Sequence, residues 1–301
     1  MRTVYLGTSE FAARVLRRLA ASPHRPALVV TPPDRRQGRG RKVAPPPAAV
    51  AAAGLGLELL QAEDVNDETA LARIRAAEPE AVLVCAFGQL IREPLLSELP
   101  LLNVHPSLLP RWRGAAPIER AIMARDATTG VCVMKLTAGL DSGPIALCEE
   151  VPIAPEEDFA SLSARLAELG GDLLVRALDL RAEGALDFTE QEEDGVTYAE
   201  KIDPAERRLA PGLPAAELAA RVRALTPHVG AYLEGADGER LGVLRAHPVE
   251  ADVQPGALEA HSGALVLGCG EGALQLDEVR PAGGKAMPAD AYLRGHEPPR
   301  L

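Results

Sequence analysis

Aromatic residues are scarce in this sequence, at 3% of 301 residues. Leu, Val, Ile and Ala must therefore fill the interior, within a hydrophobic share of 47% that suits an ample globular core. Cysteine is also rare: Cys85, Cys132, Cys148 and Cys269 are dispersed and form no CxxC pair. That spacing excludes a disulfide-rich scaffold, and no metal site is expected. Cys85, Cys132 and Cys148 lie in apolar strand-like runs and are expected as buried free thiols in a reducing cytoplasm. No apolar run reaches the length of a membrane span. The opening MRTVYLGTSEFAARVL is expected to enter a strand at once, without a separate secretory or organellar presequence. A positive charge balance is missing too. The formal net charge of −11 excludes bulk nucleic-acid binding through global charge, though not through a local basic footprint. A GxGxxG fingerprint is absent as well; Gly7 stands alone after the first strand, which removes the main signal for a dinucleotide site.

What is present is an alternation of strands and helices. Residues 3–7 (TVYLG) read as a buried strand, and the helical pattern FAARVLRRLAAS follows, with Ala12, Leu16 and Leu19 on one face and Thr8 or Ser9 as N-cap. Further strands are expected at Ala27–Thr31, Leu57–Gln61, Ala81–Ala86, Leu101–His105, Val131–Leu136 and Ile145–Pro152. Helices are expected at Ala48–Gly54, Asp67–Glu78, Ala115–Arg125 and Phe159–Leu180, the last interrupted near Gly170-Gly171. This alternation predicts an α/β fold with a mostly parallel sheet. The polar, acidic stretch DFTEQEEDGVTYAE at 187–200 reads as a linker. Beyond Pro204 come one helix, Ala215–Ala224, and strand-like runs at Val229–Leu233, Leu241–Ala246, Gly263–Leu267 and Ala273–Val279, a small β-barrel or sandwich. The expected division is thus a first domain at 1–184, a linker at 185–203 and a second domain at 204–301.

The chemistry centres on LLNVHPSLLPRWRGAAPI at 101–118 and the loop GLDSGP at 139–144. Asn103 and His105 sit two apart, so on a strand they point to one face. Pro106 ends that strand. Asp141 is bracketed by Gly139 and Gly143, which would let its loop approach a ligand closely. Each residue alone has an ordinary role: Asn103 or Asp141 capping a turn, His105 a satisfied core histidine. Together they interrupt two apolar strands at their C-terminal ends, where an open α/β sheet places its chemistry. Ser107 lies beyond the proline, so direct group transfer is favoured over a nucleophile triad, which stays as the alternative. The loop TPPDRRQGRGRKVAPPP carries Arg35, Arg36, Arg39, Arg41 and Lys42, interleaved with Gly38 and Gly40. It is expected to lack regular structure and to stand on the same rim as Asn103 and His105. A cationic loop there suggests a polyanionic substrate gripped by its phosphates.

Several motifs together carry a resemblance: Leu6-Gly7-Thr8-Ser9-Glu10-Phe11-Ala12, the PDR…GRGRK loop, NVHPSLLPRWRGAAP at 103–117, GLDSGPI at 139–145 and TYAEKI at 197–202, with GGKAMPAD at 283–290. The chain resembles the methionyl-tRNA formyltransferases. That resemblance implies a Rossmann-like domain followed by a small OB-like β-barrel domain that binds tRNA. It implies 10-formyltetrahydrofolate as donor, the methionine α-amino group on initiator methionyl-tRNA as acceptor, and no metal. Carried over by motif, Asn103, His105 and Asp141 form the catalytic set. Phe87, Gly88, Gln89 and Leu90, with Ser107, Leu108, Leu109 and Pro110, contact the folate. Arg35, Arg36, Arg39, Arg41 and Lys42 grip the tRNA. A monomer in the bacterial cytoplasm, without membrane contact, is expected. Pro106 stands where glycine is expected in the tRNA enzymes and resembles the glycinamide-ribonucleotide branch. The alternative acceptor is therefore an amino-sugar nucleotide or a ribonucleotide amine. A further reading, of another class, is a nucleotide- or RNA-binding module whose sheet carries no catalysis.

Overall fold

Strands that are apolar along their whole length must be covered on both faces, and the two central strands of the first sheet are buried at every residue. The computed structural model describes residues 1–37 and 42–301. In chain order the elements are β1 (Thr3–Gly7), α1 (Glu10–Ala20), β2 (Leu28–Thr31), β3 (Arg35–Gln37), β4 (Lys42–Ala44), α2 (Pro47–Gly54), β5 (Leu59–Gln61), α3 (Glu68–Ala76), β6 (Ala81–Cys85), α4 (Leu95–Glu98) and β7 (Leu101–His105). There follow β8 (Arg113–Gly114), α5 (Pro117–Met123), β9 (Thr128–Lys135), β10 (Ile145–Pro152), α6 (Phe159–Ala182) and β11 (Tyr198–Ala199). The remainder is α7 (Ala215–Leu225), β12 (Ala231–Glu234), β13 (Arg240–Val249), β14 (Leu258–His261), β15 (Ala264–Gly268), β16 (Ala273–Arg280), β17 (Met287–Pro288) and α8 (Ala289–Leu293). The chain divides into two units. One comprises Met1–Gly114, Thr128–Pro152 and Ser163–Tyr198; the other comprises Ala115–Ala127, Ile153–Leu162 and Ala199–Leu301.

The first unit is built on a seven-stranded sheet in the order β10-β9-β7-β6-β1-β2-β5. The strands from β5 to β7 run parallel, while β9 and β10 are antiparallel at one edge. The order of the parallel strands reverses beside β1, the Rossmann-like pattern, and all five end at one edge of the sheet. Ser9 caps α1 by accepting from the Ala12 N–H, and the helix buries Phe11, Val15, Leu16 and Leu19. Three expectations are corrected here. Helix α6 runs without a break through Gly170 and Gly171. A Cβ at Gly170 would press on the Val104 and Val131 γ-methyls, and one at Gly171 on the Arg18 side chain, so these glycines permit close packing instead of ending the helix. The basic loop is not irregular throughout: among its described residues β3 and β4 pair antiparallel, with Arg35 opposite Ala44 and Arg36 opposite Val43. Cys132 and Cys148 are not free. The β9–β10 register sets them face to face, with Cα atoms 4.1 Å apart, and they form a disulfide.

The second unit folds an antiparallel sheet, in the order β12-β13-β16-β15-β14 with β17 on β16, around a main core, with a smaller cluster of Val253, Val266 and Ala273 beside it. Leu218, Val222 and Leu225 of α7 meet Leu233, Val243, Leu265, Leu267, Leu274 and Leu276 from the strands, and Tyr292 of α8 joins them. The expected small β domain is present, enlarged by the edge strand β14 and by α8.

Candidate active site

Strand β7 carries Asn103 and His105 to the end of the sheet, where both side chains are buried. Their partners in register are Met134 and Cys132 on β9. Among the described residues no hydrogen bond is made to the Asn103 side chain, so its amide is available to a ligand. The His105 ring, by contrast, is held. Its Nε2 lies 2.9 Å from the Trp112 carbonyl oxygen. A carbonyl can only accept, so Nε2 carries the proton and the neutral ring presents a lone pair at Nδ1. That Nδ1 is 3.7 Å from Asp141 Oδ2, beyond a hydrogen bond but well inside Coulomb range.

Asp141 takes its place through its own backbone and a neighbouring loop. Its φ is +43°, and its Oδ2 accepts the Gly114 N–H at 2.9 Å. Trp112 and Ala86, the residue after β6, also have left-handed φ, at +63° and +42°. Such strained residues persist where the surroundings hold them and gather at functional sites. A Cβ at Gly143 would collide with the Lys135 carbonyl oxygen, and one at Gly139 with Ser142 Oγ. The bracketing glycines thus let the loop pass close to the protein's own atoms.

The segments expected to meet the folate divide into walls and supports. On the loops after β6 and β7, Phe87 and Leu109 are buried, Phe87 in the core of the sheet and Leu109 against Cys132 and Met134. Leu108 packs over Gly130. The Gln89 amide is committed inside the protein, accepting the Val65 N–H at 2.8 Å and donating to the Ala62 carbonyl at 2.9 Å. Gly88 has φ +79°, Leu90 is exposed, and the Pro110 carbonyl accepts the Thr197 N–H. Ser107 Oγ donates to the Arg111 carbonyl at 2.6 Å and closes the turn after β7, so the hydroxyl does not serve His105 as a nucleophile would. Cys85 is no nucleophile either: burial pushes its thiol up to about 12.

Of the basic residues, Arg35, Arg36 and Lys42 lie exposed on the hairpin, while Arg39 and Arg41 fall outside the described residues. The hairpin follows β2 at the edge where β7 also ends. Gln61 Nε2 fixes its root by donating to Asp34 Oδ1 at 2.8 Å. Among the described residues, Arg35, Arg36 and Lys42 make no ion pair, unlike Arg14, Arg17, Arg18, Arg73 and Arg75. No group of three or more His, Cys, Asp or Glu among the described residues could hold a metal. Nor is any helix long and apolar enough to cross a membrane. Sequence reasoning missed the residues that hold the site: the Trp112 carbonyl, the Gly114 N–H, Arg113, Gln191, and Thr197, whose Oγ1 accepts the Trp112 N–H at 2.9 Å. Thr197 had a signal as the first residue of TYAEKI, and Trp112, Arg113 and Gly114 lay inside the 103–117 motif, whereas Gln191 stood in no motif.

A doubly wound sheet with Asn and His at a strand end, facing an Asp loop, defines an α/β enzyme built for group transfer. The chain belongs to the formyl transferase family: the formyl transferase model matches residues 1–178, and the formyl transferase C-terminal domain model matches residues 201–297. It is 44% identical to the methionyl-tRNA formyltransferase of Bordetella bronchiseptica, over 99% of this chain and 100% of that one. It is 42% identical to that of Ruegeria pomeroyi, over 100% and 99%. HypX from Aquifex aeolicus in complex with tetrahydrofolic acid shares the fold at a TM-score of 0.68 and 19% identity, covering 97% of this chain; the chain spans 47% of HypX. The N-formyltransferase from Helicobacter canadensis, solved with folinic acid and dTDP-3-aminofucose, aligns at a TM-score of 0.67 and 12% identity, covering 91% of this chain and 98% of that one.

Proposed function

We propose that the chain transfers the formyl group of 10-formyltetrahydrofolate to the α-amino group of methionine on initiator methionyl-tRNA, as a monomer in the bacterial cytoplasm. The observation that carries this reading is identity of 40% or more with methionyl-tRNA formyltransferases over both domains. Distant sugar formyltransferases share the fold alone.

The geometry supports direct transfer. The amine nitrogen attacks the formyl carbon, and the open Asn103 amide donates to the oxygen as it gains charge, an interaction worth about 3 kcal/mol. His105 Nδ1 accepts the proton that the amine sheds, and Asp141 stabilises the imidazolium so formed. The same proton passes to the folate nitrogen as its bond to the formyl carbon breaks. The apolar Phe87 and Leu109, on the loops after neighbouring strands, support the reading that the folate's heterocycle binds nearby. Exposed Arg35, Arg36 and Lys42, with Arg39 and Arg41, supply the local positive field that an acidic chain needs to hold RNA.

The test is formylation by the purified protein of initiator and elongator tRNAs, each charged with methionine, with formyl-folate as donor. Formylation of the initiator alone is expected. Formylation of a nucleotide amine instead of either tRNA would refute the acceptor.

A further inference from the structure

We propose that Gln191, gripped by Arg113, is a positioning residue that sets the Asp141 loop for formyl transfer. The inference rests on the reading of Asp141 given above and extends it to a segment expected to be a solvated linker.

In residues 187–195, DFTEQEEDG, every side chain but one is exposed, and the exception is the neutral Gln191. Both ends of its amide are engaged. Nε2 donates to the carbonyl oxygens of Asp141 and Gly143, each at 2.8 Å. Oε1 accepts from Arg113 Nε at 2.9 Å and Nη2 at 2.7 Å. The segment is anchored two residues earlier, where Thr189 and Ile145 exchange backbone hydrogen bonds of 2.7 and 2.9 Å. Three consecutive residues thereby tie the site together: Trp112 holds His105, Arg113 holds Gln191, and Gly114 holds the Asp141 carboxylate. Asp141 is in the left-handed region, and Gln191 captures its carbonyl while Gly114 captures its side chain, so both the backbone and the carboxylate are fixed.

Only an amide can do this. It supplies two donors to the carbonyls and an acceptor to the guanidinium, whereas a carboxylate has no proton to give and an ammonium has no lone pair. A Glu at 191 would keep Arg113 but repel the two carbonyl oxygens and add negative charge beside Asp141.

The test combines kinetics with loop exchange. Gln191→Ala and Gln191→Glu should each lower kcat for charged initiator tRNA about 10- to 100-fold, the effect of displacing a reacting group by about 1 Å. KM for both substrates should stay within about two-fold, and thermal midpoints should be close to that of the unsubstituted protein. Placed on Asp141→Asn, Gln191→Ala should cost nothing more, because it acts through Asp141. Amide exchange should accelerate at residues 139–144 and not in β7. Unchanged kcat, or an undiminished loss on the Asp141→Asn background, would overturn the proposal. Gln191→Glu decides if Gln191→Ala does not fold. If the unsubstituted protein fails to formylate charged tRNA, the acceptor reading falls, and the exchange at 139–144 alone then upholds or rejects the clamp.

Discussion

Asp141→Asn isolates one term of the site, a charge, from the geometry that carries it. The substitution keeps the side chain's shape and leaves an oxygen to accept the Gly114 N–H, so the loop retains its contacts. What is lost is a negative charge 3.7 Å from His105 Nδ1. Unit charges at that separation attract by about 4.5 kcal/mol at an effective dielectric of about 20. Only part of the proton has reached His105 in the transition state, and the Asp141 side chain is 14% exposed, so solvent screens the pair. Roughly half the attraction, about 2–3 kcal/mol, then bears on the barrier, which is a fall of roughly 30- to 150-fold in kcat. Single-turnover formylation of charged initiator tRNA at saturating formyl-folate reads the chemical step apart from product release. KM for both substrates should change by less than about two-fold, because the lost charge acts on the imidazolium and not on bound substrate. An unchanged single-turnover rate would refute the reasoning, since His105 would then carry no positive charge on the reaction path. An effect confined to KM would refute it too, and would make Asp141 a binding group.

Replacing Arg35, Arg36 and Lys42 together with Ala should raise KM for tRNA about ten-fold or more and reduce its logarithmic salt slope by about 2, leaving KM for formyl-folate unchanged; an unaltered slope would make the hairpin a bystander. Gly143→Ala should lower kcat at least about ten-fold, because the new Cβ meets the Lys135 carbonyl oxygen and must displace the Asp141 loop; the kcat of the purified variant decides it. In the second unit, Arg120 donates to Glu206 Oε1 at 2.9 Å and holds that carboxyl below the usual carboxylate range. A depressed folded value stabilises fully above the ordinary Glu range, and the stabilisation is lost as pH falls from there through the depressed value. Glu206→Gln should therefore destabilise by about 1–2 kcal/mol at neutral pH and progressively less below about pH 4, measured by urea unfolding from pH 7 to 3; a pH-independent deficit would contradict the assignment.

The parts of this fold that were legible in the sequence are those where one residue's chemistry settles its own surroundings. β1 and β6 could be read because a strand covered on both faces is apolar throughout. Asn103 and His105 could be read because polar residues two apart in such a strand share a face, and Pro106 marks where it stops. Register is a different kind of information. Cys132 and Cys148 each look like a buried thiol, and only the β9–β10 ladder sets them opposite one another. Gly170 and Gly171 look like a break until Val104, Val131 and Arg18 are seen to occupy the space a side chain would need. β14 escaped notice because LEAH, on a sheet edge, buries little beyond Leu258. Gln191 was the hardest to see: among acidic neighbours it is one more polar residue, and its inward turn follows from the Thr189–Ile145 bridge. The tautomer of His105 was out of reach altogether, since it is set by the main-chain oxygen of Trp112, which carries no side-chain identity. Motifs therefore expose the groups that react, whereas the groups that hold them act through backbone atoms and paired registers, which sequence patterns do not encode.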